Sequence, residues 1–395
     1  MRVDLLTRQY PAKSDGGAGA HTTELTKALR RLVDVRVRCF DSGAAGPDTY
    51  SYREPGSPSE SSALQFLNAG LGMADDCFSA DVVHSHTWYT NAAGHVAGRL
   101  YGIPHVMTMR SLATDRADES EQAGGEHALS DWMERASAGE ADALIAGSAA
   151  LREDILAAYP EVAPEKTQVI HSGIDTELWR PDPRTAELEQ LGVDPERPFV
   201  LFLGRPTRRR GLVHLLRAAA EFRPQAQLVL CCEGPGAPET EREVAALLEE
   251  LERLRSGVIR IDGALAQPSL RQLIAQATAF VQPSLREPTG AVNLKAMACG
   301  TAVVATAVGA VPEIVAHGDT GLLVPYEQRA DGSGDPVDPL RLAADLATSV
   351  NSLIDDPELA ERLGAAGRRR AATDFRWDDA AARTLAVYQR LTADS

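Results

Sequence analysis

A chain of 395 residues, 44% apolar and 24% charged, has the composition of a soluble globular protein with room for two domains. Its net charge of −16 argues against nucleic acid or an anionic membrane surface as a partner. No apolar run approaches the ~20 residues that span a bilayer, and MRVDLLTRQYP is too short and charged for a targeting segment, so a cytoplasmic location is expected. Cys39, Cys77, Cys231, Cys232 and Cys299 fit no metal spacing and their odd number suits a reducing compartment; no metal and no cofactor is expected.

Val3–Thr7 predicts a first strand, then a loop Gln9–Gly19 carrying Gly16, Gly17 and Gly19, a helix from Ala20 to Leu32 and a second strand, Val35–Phe40. Strand, glycine-rich loop, helix and strand make the unit of a doubly wound parallel sheet. Gly43–Ser62, rich in Gly, Pro and Ser, reads as a surface loop. Asp81–His84 is a short buried strand with Ser85, His86, Thr87 and Trp88 at its carboxyl end. His95–Leu100 belongs to a helix, and His105–Met109 is a strand that ends at Arg110 and Ser111. The acidic stretch Thr114–Gly125 reads as a loop over a cleft. Ala141–Ala146 is a strand, Ser148 caps the helix after it, and Thr167–His171 leads into Ser172, Gly173, Ile174 and Asp175. A first domain over 1–178 and a second over 179–375 follow, with Arg180–Pro198 as the linker.

The rhythm restarts with the strand Phe199–Leu203, the basic loop GRPTRRRG from Gly204 to Gly211, and a helix through Glu221. Gln227–Cys232, Val258–Asp262, Ala279–Val281 and Ala302–Ala305 continue as strands. Thr240–Arg255, Leu340–Ile354, Pro357–Thr373 and Trp377–Leu391 read as helices. The expected fold class is therefore α/β, two Rossmann-like parallel sheets facing a cleft, with ligands at the carboxyl ends of the strands. Ser284–Gly300, SLREPTGAVNLKAMACG, is a strand exit, a Pro/Gly turn and a helix start, which suits an anion such as a diphosphate.

The strand ends gather Gly17, His86, Arg110, Asp175, Arg205, Arg210, Glu233, Glu287 and the backbone of Thr289, Gly290 and Ala291. Two arginines and a helix N-terminus form a cradle for a nucleotide diphosphate; a solvated basic loop is the plain alternative for GRPTRRRG. Glu287, held extended before Pro288, can accept hydrogen bonds from sugar hydroxyls or serve as a helix-cap acid. His86 and Asp175 are structural or position a substrate. No Ser/His/Asp set, metal cluster or P-loop spacing is present, and the first loop lacks a GxGxxG fingerprint, which weakens a dehydrogenase reading.

Together LTRQYP…GGAGAHTTELTKALRRLVDVRVRCF, VVHSHTWYTNAAGH, SGIDTELWRP, LGRPTRRRG and EPTGAVNLKAMACGTAVVAT resemble the retaining, two-domain glycosyltransferases of family 4, on the glycogen-synthase-like branch. That resemblance covers nearly the whole chain. It implies the GT-B fold with a last helix, 376–395, crossing back to the N-terminal acceptor-side domain. It also implies a nucleotide-activated sugar donor held by the C-terminal domain, a small sugar acceptor, metal-independent chemistry and retention at the anomeric carbon. By the same resemblance Arg205 and Arg210 stabilise the leaving diphosphate, and Glu287 contacts the donor sugar. Thr289, Gly290 and Ala291 touch sugar and phosphate, and Gly17 lies near the diphosphate. A homodimer is admitted.

Three positions depart from the family pattern. Lys295 stands where a second Glu usually holds the ribose hydroxyls, Arg210 replaces a Lys, and Arg110 replaces a His that meets the donor's C6 hydroxyl. An arginine there would pair with a phosphate on the donor. The expectation drawn is a pseudo-glycosyltransferase of aminocyclitol, acarbose-like antibiotic biosynthesis, which joins a phosphorylated cyclitol donor to an amino-sugar acceptor. The competing readings are an α-glucan or α-maltose-1-phosphate synthase using ADP-glucose, and an inactive homologue with a binding role.

Overall fold

Parallel strands covered on both faces read as unbroken apolar runs, and two sets of them fold separately. The computed structural model describes residues 1–12, 17–41, 46–52, 62–113, 125–234 and 236–393. It divides into two compact units, Met1–Gly173 with Arg376–Ser395, and Ile174–Phe375.

In the first unit β1 (Arg2–Gln9), β2 (Asp34–Asp41), β3 (Thr49–Ser51), β4 (Val82–His86), β5 (His105–Met109), β6 (Ala143–Ala146) and β7 (Thr167–Val169) make a seven-stranded sheet. Its order is β3-β2-β1-β4-β5-β6-β7, and every pairing is parallel. α1 (Gly17–Leu29) follows β1, and α3 (Trp88–Tyr101) follows β4 after α2 (Ser62–Asp75). The second unit holds β8 (Phe199–Gly204), β9 (Gln227–Cys232), β10 (Val258–Asp262), β11 (Ala279–Gln282), β12 (Val303–Thr306) and β13 (Gly321–Val324), in the order β10-β9-β8-β11-β12-β13, again all parallel.

The period of two decides which side chain enters which core. Val200, Phe202, Leu228, Leu230 and Cys232 pack with Leu212, Leu216, Val244 and Leu346 on one face of the second sheet. Phe199, Leu201, Val229 and Cys231 pack with Leu273, Leu294 and Met297 on the other. Adjacent Cys231 and Cys232 thus enter opposite cores as small hydrophobes, and burial pushes their thiols up to about 12 and about 11. The long final helix, Trp377–Ala393, returns to the first unit, where Ala381, Val387 and Tyr388 pack with Leu25, Leu29 and Val37.

Several boundaries differ from expectation. α1 starts at Gly17 rather than Ala20, because Gly17 takes φ 74°, a turn conformation open to glycine, at the helix mouth. The stretch read as a surface loop carries a strand, Thr49–Ser51, bound to the edge of β2. A helix, Gly125–Glu140, begins where the acidic loop was expected to end; residues 114–124 lie outside the described residues. The expected linker Arg180–Pro198 is packed into the second unit: its Leu188 and Val193 sit in the core there, beside Trp179 that precedes it. Ser148 caps its helix, accepting from Leu151 N at 3.0 Å.

Candidate functional site

Each sheet reverses its strand order once, between β1 and β4 in the first unit and between β8 and β11 in the second. Loops leaving two such neighbours run to opposite faces and leave a crevice at the carboxyl ends, where ligands of open α/β sheets bind. In the second unit Arg205 and Arg210 follow β8, and Glu287, Thr289, Gly290 and Ala291 follow β11.

Close backbone approach stitches these two segments together. Gly211 ends the basic loop at φ 68°, and a Cβ there would collide with the Pro283 carbonyl. Leu285 N donates to Arg209 O at 2.8 Å. α10 (Ala291–Cys299) starts after Gly290, which takes φ 61° and lies so near Ile314 that a side chain would collide with it.

Glu287 is 5% exposed and its carboxylate is filled. Oε2 accepts from Arg210 Nη1 at 2.6 Å and from Gln282 Nε2 at 2.5 Å. Oε1 accepts from Gly290 N at 3.0 Å and more weakly from Thr289 N at 3.4 Å. A carboxylate has about four acceptor sites, so a sugar hydroxyl could reach Glu287 only by exchange for one of these bonds. The amides of Thr289 and Gly290, expected to face a ligand, are turned onto Glu287. The geometry therefore makes Glu287 the group that orients Arg210 and caps the turn. Only one of the five guanidinium N–H groups of Arg210 is spent on Glu287. Arg205 is exposed, its stem passing over Gly234, and Glu233 beside it is exposed at the end of β9.

Lys295, on α10, sets its ammonium 4.4 Å from the centre of the Trp179 ring. Trp179 is 3% exposed, so the contact is a cation–π pair that holds the lysine stem to the core. Asp175 falls in the second unit, where Oδ1 accepts from Glu177 N at 2.9 Å and Leu178 N at 3.0 Å and closes a local turn.

In the first unit, Gly17 is exposed with open space around its Cα. His86 ends β4 and Arg110 follows β5. Arg110 Nη1 donates to Ser172 Oγ at 2.9 Å, and Ser172 Oγ lies 3.0 Å from His21 Nδ1. From sequence, Arg110 could instead turn to solvent or pair with Glu119 or Glu121 of the acidic stretch; both acids lie outside the described residues. His84 stacks 4.2 Å from His86 and is held at both nitrogens, by Tyr388 Oη at 2.5 Å and Thr108 Oγ1 at 2.7 Å. Burial, with the neighbouring charges of His21 and Arg110, holds His86 well below the usual imidazole range. His21 is lowered likewise, first by burial and then by Arg110 and His84. Gln282, Trp179, Ser172 and His21 were not singled out from sequence, because each gains its role from a partner on a distant element.

Among the described residues, no cluster of His, Cys, Asp and Glu is arranged to hold a metal ion.

Comparison with known proteins adds a second line. Residues 15–178 match the family model described as Glycosyltransferase Family 4, and residues 197–336 match the one described as Glycosyl transferases group 1. The chain is 45% identical to an alpha-maltose-1-phosphate synthase of Mycolicibacterium smegmatis, covering 100% of both chains. It is 33% identical to D-inositol 3-phosphate glycosyltransferase 1 of Catenulispora acidiphila, over 98% of this chain and 94% of that one. Among solved structures, the sucrose-phosphate synthase from Thermosynechococcus elongatus superposes with a TM-score of 0.78 at 26% identity, covering 100% of each chain.

Proposed function

The chain belongs to glycosyltransferase family 4, a GT-B enzyme that draws on a nucleotide-sugar donor, and from that premise we propose that it joins a glucosyl unit to a phosphorylated sugar in the manner of an α-maltose-1-phosphate synthase. The observation that carries this reading is the Arg210–Glu287 pair beside exposed Arg205 at the β8/β11 crevice. It occurs in a chain that matches such a synthase from end to end.

The chemistry follows from charge. As the donor's glycosidic bond breaks, negative charge grows on the departing diphosphate, and preorganised cations stabilise that charge more than they stabilise the ground state. Arg210, aimed by Glu287, and Arg205 supply it, and the positive end of the α10 dipole adds to it. The acceptor hydroxyl attacks on the same face, gives its proton to the leaving diphosphate, and configuration is retained. No step needs a metal.

A second reading, the phosphorylated cyclitol donor of an aminocyclitol pathway, is carried by Arg110 alone, a guanidinium that donates to Ser172 and is of the type that pairs with phosphate. Names of full-length relatives favour the glucosyl reading over it. ADP-glucose with α-glucose 1-phosphate should yield a disaccharide phosphate. Failure with these substrates, together with turnover of a donor that carries a terminal phosphate and loss of that turnover in Arg110→Ala, would reverse the order of the two readings.

A further inference from the structure

Polar side chains sealed around the Glu287 turn are a part of the second unit that its apolar packing does not explain. Asn293 is 0% exposed in the first turn of α10, and neither Oδ1 nor Nδ2 has a hydrogen-bond partner among the described residues. Ser284 is 0% exposed with Oγ unpartnered, and Gln282 is 3% exposed with Oε1 unpartnered. The same unit can satisfy a buried amide. Gln227, 2% exposed, accepts from Asp194 N at 3.0 Å and donates to Asp194 O at 2.8 Å. An amide buried without a bond is destabilising, and an apolar residue at 293 would carry no such penalty beside Leu294, Met297 and Ala298. Asparagine suits this apolar helix only if its amide finds a partner.

The three residues belong to one segment, the exit of β11 and the start of α10. Gln282 ends β11, and the period of two puts it on the face of Phe280, which packs with Leu294 and Met297 of α10. Ser284 is fixed by its carbonyl, which accepts from Thr306 Oγ1. Asn293 N donates to Gly290 O at 3.0 Å, and Gly290 N is one of the amides on Glu287. The unpartnered groups also complement one another: Asn293 Nδ2 and Ser284 Oγ are donors, and Gln282 Oε1 is an acceptor. Gln282 needs a donor for a specific reason. Its Nε2 donates to Glu287 Oε2 at 2.5 Å, and the same amide turned over would aim an oxygen at the carboxylate. A donor held on Oε1 keeps the amide in its working orientation.

We propose that Asn293 is a positioning residue, which acts through one internal water that accepts from Asn293 Nδ2 and donates to Gln282 Oε1. Through that water it fixes the Gln282 amide, the Glu287 carboxylate and the aim of Arg210. Water fits because the groups are neutral, shut from solvent, and supply both donors and acceptors. Ser284 Oγ gives the water a third partner. What the aim of Arg210 does for turnover rests on the glucosyltransferase reading above; the water does not.

A crystal structure of the full chain, at a resolution that shows ordered solvent, should place a water within hydrogen-bond distance of Asn293 Nδ2 and Gln282 Oε1. A dry site, or a water that reaches only one of the two, overturns the proposal. Initial rates with ADP-glucose and α-glucose 1-phosphate read the consequence. Asn293→Leu keeps the bulk and excludes the water. It should lower kcat about tenfold, the worth of one neutral hydrogen bond, and leave KM for ADP-glucose within about twofold. Its melting temperature should hold or rise, since two unsatisfied atoms are gone. Asn293→Ser, which keeps a hydroxyl donor, should recover most of the lost rate. The double variant Gln282→Leu/Asn293→Leu should be no slower than Gln282→Leu, because both changes remove one path to Glu287. An unchanged kcat in Asn293→Leu, or losses that multiply in the double variant, overturn the positioning role; a merely structural asparagine would move melting alone. A wild type inactive with both substrates overturns the glucosyltransferase reading instead, and diffraction still decides the water.

Discussion

Arg205 and Arg210 flank one loop but are held in different ways, and that difference should separate a loss of turnover from a loss of stability. Arg210 has a side chain 26% exposed and bonded to a carboxylate 5% exposed, so its removal leaves Glu287 buried with one charge-assisted bond missing. Arg210→Ala should lower stability by about 1–3 kcal/mol as well as slowing turnover. Arg205 is exposed, and Arg205→Ala should change stability by no more than about 0.5 kcal/mol. Its kcat should nevertheless fall about 10²-fold or more, as when one donor to a developing anion is removed. Urea titration and initial rates measured on the same preparations check the split. Equal loss of stability in both variants would contradict the geometry described. Lys295 illustrates the complementary case: its identity departs from the family pattern, and its place over Trp179 gives it a packing role.

At the scale of the element, the second-unit site depends on a loop pinned to its neighbour rather than on loop composition. Gly204–Gly211 reads as a basic turn, but what positions it is the approach of Gly211 to the Pro283 carbonyl at the exit of β11. Gly211→Ala therefore meets both an unfavourable φ and a backbone collision, and should destabilise by more than about 3 kcal/mol. Gly17→Ala meets only the first, since a Cβ at Gly17 enters open space, and should cost about 1–2 kcal/mol. Thermal melts of the two variants give the comparison; similar small shifts would mean that the β8 and β11 exits are not held in register by this contact. The same logic explains the start of α10. Pro288 and Gly290 mark it in sequence, but the filled carboxylate of Glu287 sets which amides remain for a ligand.

At the scale of the whole molecule, the two units carry different acid sensitivity. The first holds His84, His86 and His105 with their imidazoles lowered by burial, His105 to about 3. The second holds His214, lowered by burial to about 4. An unfolded imidazole titrates near 6.5, so below that pH the unfolded chain binds more protons than the folded one, and stability falls as pH falls. The contribution of these groups is complete above about pH 6.5 and is lost through the window down to their folded values, each steepening the fall by up to about 1.4 kcal/mol per pH unit. Calorimetry should show melting nearly level between about pH 8 and 7, then a steep decline toward about pH 5, with the transition of the first unit moving more than that of the second. Level melting down to about pH 5 would mean that these histidines are hydrated in the folded state.

Much of this protein follows from local chemistry that a sequence displays directly. Unbroken runs such as FVLFL and LVLCC can only be buried strands, glycine-rich exits can only be turns into helices, and two successive rounds of that alternation require two parallel sheets. The places of Arg205, Arg210 and Glu287 near strand ends were legible for the same reason, since each follows an apolar run within a few residues. What the chain alone could not reveal is pairing across the fold. That Glu287 is saturated by Arg210, Gln282 and the turn amides, that Lys295 stacks on Trp179, and that the His86 ring and the Thr87 hydroxyl find no hydrogen-bond partner among the described residues are facts of distance decided by the fold. Propensity and periodicity act over a few residues, while hydrogen-bond satisfaction is decided only when strands, loops and the returning final helix have packed.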